Sequence, residues 1–183
     1  MINDDETSEL CVPLQLADHI AVQRLVHQYA DAVVHRNAAQ WGRCWAEDAQ
    51  WDLGRGRHVV GRPAIVQLWQ TAMAGMAAVV QNVLNGDAWL AESRDGSAAN
   101  SAAAPADGPG QRAHGRWYIN ERFRRADGAV GILLAHYDDD YVRSADGWLF
   151  SNRVLRVHYM GAPDLSAEFM NTEEVLGGRA ADA

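Results

Sequence analysis

The sequence predicts an α+β domain with helices packed on one face of a curved sheet. Apolar residues recur every three or four positions as far as Met76, then every second position from Val79 onward. Asn85-Gly86, Asp127-Gly128 and Asp146-Gly147 punctuate the second half as turns between strands. Helices first and a meander after imply one layered core. A chain of 183 residues that is 48% hydrophobic has enough material for a single domain and an enclosed pocket.

The elements follow in order. Residues 1–14 read as an acidic tail, and Asp18 as the N-cap of a first helix whose buried stripe is Ile20, Leu25, Val26, Tyr29, Ala30 and Val33, ending near Arg36. Trp41, Cys44 and Trp45 mark a short second helix, and Ala49 to Leu53 alternates as a strand before the Gly54 to Arg57 turn. Pro63, at a first helical position, opens a third helix striped with Ile65, Leu68, Trp69, Ala72, Met73 and Met76. Strands follow at Val79 to Leu84, Ala88 to Glu92, Arg112 to Arg124, Ala129 to Arg143 and Gly147 to Tyr159. Residues 93–111, rich in Ala, Ser, Gly, Pro and Asp, form a hairpin insertion in the 15–160 domain, and 161–183 a C-terminal tail.

Composition excludes several functions. Sixteen basic against twenty-four acidic residues leave a net charge of −8, without a basic run, so nucleic acid is not an expected partner. Every basic residue is arginine, which rules out lysine Schiff bases and a Walker-type phosphate loop. Cys11 and Cys44 stand in no metal or redox spacing, and no metal or cofactor is expected. No apolar stretch approaches the span of a bilayer, so the expectation is a cytoplasmic protein with no membrane partner.

The closing hairpin carries the most information. Tyr137 to Arg143 and Trp148 to Arg153 flank an Asp146-Gly147 turn, and the second strand delivers Arg153 among apolar neighbours, where it wants an anion. This hairpin, Leu25-x-x-x-Tyr29-Ala30, Trp45-Ala46-Glu47-Asp48-Ala49, Gly61-Arg62-Pro63-Ala64-Ile65 and Gly115-Arg116-Trp117-Tyr118 occur in an order that resembles the SnoaL-like branch of the nuclear-transport-factor-2-like superfamily. The similarity runs from about Leu16 to Tyr159. It implies a cone-shaped, curved mixed β-sheet wrapped around an internal pocket, with about three N-terminal helices on its concave face. Relatives include scytalone dehydratase, dehydrochlorinase, ketosteroid isomerase and polyketide cyclases. The resemblance therefore implies a cofactor-free lyase or isomerase working by acid-base catalysis on a small apolar, aromatic or polycyclic metabolite, and a homodimer or higher homo-oligomer. The family's aspartate position falls at or near Val34 and its histidine at Gln81 or Asn82, so that dyad is absent. A binding protein that has lost catalysis is the rival expectation.

Two family positions carry over, Tyr29 as acid or base with a lowered pKa and Arg153 as the anion holder. His114, in register with Arg116, Tyr118 and Asn120, is the expected base. Trp51, Leu53, Trp69, Asn82, Tyr118 and Tyr137 are the expected substrate-binding residues. His136 shares a face with Asp138 and Asp140, read as a solvated or dimer-facing surface, and Asp139, between Tyr137 and Tyr141, is either a hydrogen-bond node or an acid of raised pKa.

Overall fold

The computed structural model describes residues 13–91 and 110–170. The expected insertion 93–111 lies almost wholly outside them, as do most of the N-terminal tail and the tail from 171 onward. Helix α1 (Leu16–His35) is followed by α2 (Ala38–Arg43), β1 (Trp45–Asp52), β2 (His58–Val60), α3 (Arg62–Ala74) and four long strands, β3 (Met76–Leu90), β4 (Arg112–Arg125), β5 (Val130–Ser144) and β6 (Gly147–Gly161). They form one six-stranded mixed sheet in the order β2-β1-β6-β5-β4-β3, curved and unclosed, with β1 parallel to β6 and the other neighbours antiparallel. No helix among the described residues is long and apolar enough to cross a membrane.

Local chemistry explains the departures from expectation. Asp18 does not cap α1. The N-cap is Gln15, three residues earlier, and the Asp18 carboxylate accepts hydrogen bonds from Arg143 Nη1 at 2.6 Å and Trp148 Nε1 at 3.0 Å, tying the helix to the closing hairpin. Trp45 opens β1 rather than ending α2. The two strands expected on either side of Asn85-Gly86 are one, because both halves pair with β4 around an irregularity between Val83 and Gly86. Gly86 is there for close approach: a Cβ on it would lie 2.4 Å from the Trp117 ring.

The core sits between the helices and the concave sheet face. Trp41 stacks on Trp69 at 4.8 Å and packs on Trp51 at 5.4 Å, and Trp45 lies 5.2 Å from Trp41. Trp51 and Trp69, expected to bind substrate, are therefore packed into this cluster, 6% and 3% exposed. Burying such rings contributes about 1.5–3 kcal/mol each for a large apolar side chain, which accounts for the helices being held to the sheet.

The other sheet face carries paired charges. Arg116 Nε donates to Asp138 Oδ1 at 2.7 Å, while His136 Nδ1 and His158 Nε2 lie within hydrogen-bond distance at 2.8 Å. His136 is buried beside Tyr118 and His158, so the solvated surface expected for it is not observed. Burial opposes the charge on Asp138, but His136, with Nε2 at 3.7 Å, and the hydrogen bond from Arg116 outweigh it and hold the carboxyl down to about 2. A folded pKa below the unfolded value contributes stability above pH ~4 that is lost as pH falls toward 2, on the order of 2 kcal/mol. Asp138→Asn is expected to flatten that acid limb, measured as urea unfolding free energies at pH 2.5, 4 and 7. An unchanged limb would show the pair to be irrelevant to acid stability.

Candidate active site on the concave face

Strand alternation decides which side chains lie on the concave face. On β4 the inward row is Ala113, Gly115, Trp117, Ile119, with Glu121 and Phe123 continuing it, and on β5 it is Leu133, Ala135, Tyr137, Asp139, Tyr141. Tyr137 pairs with Trp117 and Asp139 with Arg153, so α1, β4, β5 and β6 meet around one group of side chains.

Arg153 is 1% exposed, and its anion comes from within the chain. Nε donates to Asp139 Oδ1 at 2.8 Å and Nη2 to Asp139 Oδ2 at 3.1 Å, a two-pronged pair. Tyr141 Oη donates to the same Oδ2 at 2.9 Å and accepts from Trp117 Nε1 at 2.9 Å. The guanidinium lies 3.8 Å from the Tyr137 ring centroid, and 4.1 Å from those of Tyr29 and Phe150. Asp139 is thus a hydrogen-bond node, and burial, outweighing the pull of Arg153 and Tyr141, also raises its pKa, so both roles expected for it describe the same carboxyl. Two nitrogens of Arg153 are committed to Asp139, while Nη1 is buried without a hydrogen-bond partner among the described residues, so only that part of the fork remains for the substrate anion expected there. Burial works against its charge, yet Asp139 and the two phenols drive its pKa upward, so it stays a cation.

Tyr29 and Tyr137 lie with ring centroids 6.1 Å apart, both buried. Burial raises the pKa of Tyr29, and the opposing pull of Arg153 and Tyr137 does not reverse it. Tyr137 is raised further, by burial and then by Tyr29. The lowered phenol expected for Tyr29 is therefore corrected. Desolvation outweighs the neighbouring cation, and both hydroxyls stay protonated donors at neutral pH.

Glu121 is the group that sequence reasoning missed. It lies across from Gln81 in the β3–β4 register, and Gln81 Nε2 donates to its Oε2 at 2.8 Å. Burial raises its pKa above the ordinary carboxylate value, and the Gln81 hydrogen bond only partly offsets this. Its charge acts on both phenols, raising each. Ile119, Leu133, Ala135 and Tyr137, with Leu155 and Val157 packed on them, form an apolar wall distinct from the main core. A carboxyl in such surroundings sits closer to a working pH, as proton transfer needs.

His114, Tyr118 and Asn82 are corrections. His114 and Tyr118 alternate with the inward Gly115, Trp117 and Ile119 and so occupy the opposite face. There His114 Nδ1 meets Asp140 Oδ1 at 2.5 Å, and Tyr118 packs on His136. Asn82 is exposed, while its neighbour Gln81 is buried and points inward. Leu53 is half-buried against the main core. Cys44 is a buried free thiol pushed by burial to about 11, too high for a nucleophile. Among the described residues no group of three or more His, Cys, Asp or Glu is arranged to hold a metal.

Comparison with known proteins agrees with this architecture. A search of curated proteins gave no match. Solved structures similar to the chain include one provisionally assigned as a scytalone dehydratase, from Novosphingobium aromaticivorans, at 16% identity and TM-score 0.64, covering 83% of this chain and 90% of that one. Another from the same organism, provisionally assigned as an aromatic ring hydroxylase, is 21% identical with TM-score 0.64, covering 81% and 94%. A hexachlorocyclohexane dehydrochlorinase from Novosphingobium barchaimii is 16% identical with TM-score 0.60, covering 83% and 93%. At these identities the likeness establishes the fold. The model of the SnoaL-like domain matches residues 14–154, which spans α1 to the middle of β6 and includes Tyr29, Glu121, Tyr137 and Arg153, and the chain therefore belongs to the SnoaL-like domain family.

Proposed function

We propose that the chain is a cofactor-independent lyase or isomerase for a small, largely apolar carbonyl compound of aromatic or polycyclic type. The observation that carries the reading is a half-buried carboxyl of raised pKa, Glu121, sharing the concave face with two protonated phenols, Tyr29 and Tyr137. Glu121 takes a proton from the carbon beside the carbonyl. The electrons of the broken C–H bond form a C=C bond, and the carbonyl π electrons move to oxygen as an enolate, which accepts hydrogen bonds from the phenols. Returning the proton to another carbon shifts a double bond. Returning it to a β-hydroxyl expels water and leaves a conjugated product.

Arg153 contributes as a fixed positive charge beneath the phenol rings. It favours the developing anion without touching it. Gln81 orients Glu121. Membership of a family that includes dehydratases and dehydrochlorinases supports a lyase or isomerase kind of chemistry.

The test needs no natural substrate. Exchange of the α-protons of 2-tetralone and related aryl ketones into D2O, followed by proton NMR, is expected to be accelerated by the protein. The Tyr29→Phe/Tyr137→Phe double variant is expected to lose about 10²-fold, the cost of an oxyanion donor. Ketone binding without exchange would favour the binding-protein alternative, and a double variant as fast as the parent would remove the phenols from the mechanism.

A further inference from the structure

The inward row of β4 continues past Glu121 to an open corner of the sheet. Phe123 follows it, Gly131 of β5 lies opposite, and Val130 and Met160 stand at the sides of a groove of about 360 Å³. A Cβ on Gly131 would lie 2.4 Å from the Phe123 ring, so the glycine lets that ring lie against the strand as an aromatic floor. Val130 and Met160 are 58% and 47% exposed, an apolar rim. From the groove the row Leu133, Ala135, Tyr137 leads inward along the apolar wall to the phenols. The groove and the proposed reacting centre therefore share one face.

The charge at this corner runs against that of the chain. Arg125, in the same row as Phe123, sits over the groove with Cζ 5.7 Å from the Phe123 centroid, whereas Arg122 and Arg124 alternate with it onto the other face. Among the described residues Arg125 has no carboxylate within ion-pair distance. In a protein of net charge −8, the guanidinium of Arg125 beside an apolar trough makes a local field that attracts an anion with an apolar body.

We infer that the groove takes an amphiphilic acid, its apolar body on Phe123 and Met160 and its carboxylate on Arg125. As a statement about substrate, this rests on the proton-transfer reading of Glu121; as a statement about binding, it rests on the groove alone. Arg125 and Glu121 are four residues apart, about 13 Å along the strand. The substrate class is thus an apolar carbonyl compound bearing a carboxylate on the order of 10 Å from the reacting carbon, a span set by that strand spacing.

Calorimetric titration of the full chain with octanoate and with octan-1-ol tests it. Octanoate is expected to bind at least about tenfold more tightly at low salt, with the advantage shrinking as salt rises. Arg125→Gln, an exposed substitution, is expected to erase the advantage while leaving octanol within about twofold. Equal affinity of the two probes, or an octanoate preference untouched in Arg125→Gln, would overturn the assignment. The two readings fail separately. Charge-selective binding with no ketone exchange would remove the proton transfer and keep the groove, and exchange without charge selectivity would do the reverse.

Discussion

Asp139→Ala is expected to destabilise the protein by about 3–5 kcal/mol, the cost of leaving a buried charge without its partner. Arg153 and Asp139 are 1% and 0% exposed, so no water replaces the lost carboxylate. Two charge-assisted hydrogen bonds disappear together with the acceptor for Tyr141 Oη, which in turn orients Trp117 Nε1. Against a total stability of about 5–15 kcal/mol for a typical domain, a loss of that size is read easily as a shift of the urea midpoint. The pair itself need not be worth so much. Removing both charges in Asp139→Leu/Arg153→Met is expected to recover most of the loss, since an apolar replacement has no desolvation to repay. A single variant within about 1 kcal/mol of the parent would mean that the guanidinium finds compensation in its three aromatic neighbours alone.

That ion pair marks where the sequence was readable and where it was not. The hairpin, its Asp146-Gly147 turn and the apolar setting of Arg153 were all legible, because turn chemistry and alternation are local. The partner was not. Asp139 stood in the same hairpin, but whether a buried arginine closes on its cross-strand neighbour or keeps its fork for a ligand depends on register, which pairs Asp139 with Arg153. The mistaken base shows the reverse. His114 drew attention as a residue type, whereas the pattern around it, with Ala113, Gly115, Trp117 and Ile119 apolar and His114, Arg116, Tyr118 and Asn120 polar, already assigned it to the other face. Continuing the apolar row by two positions reaches Glu121, a carboxylate at a core position, which was the available signal. Gln81 was legible only as a departure from the family's histidine. Its hydrogen bond to Glu121 supplies the reason, since β3 there orients a titratable group held on β4.

Glu121→Gln is expected to reduce exchange or turnover by 10²–10⁴-fold, the usual contribution of a positioned acid or base, with little change in ketone affinity. The amide keeps the shape and the inward position and still meets Gln81, so a fall in rate without a fall in binding isolates the proton. In the parent, activity requires the carboxylate form. It should therefore decline as pH drops through a pKa that burial has raised above the ordinary glutamate value, and the variant should lack that limb. Stability supplies an independent reading. A carboxyl whose folded pKa exceeds its unfolded one contributes its stability fully below the unfolded value and loses it as pH rises through the folded value, so near neutral pH the half-buried charge of Glu121 weighs against folding. Glu121→Gln should accordingly be at least as stable as the parent at pH 7 and closer to it at pH 4. An inactive variant that is stabilised at neutral pH is what a carboxylate retained for chemistry predicts. If the variant is destabilised and still active, Glu121 is a packing residue, and the search for the base moves elsewhere on the concave face.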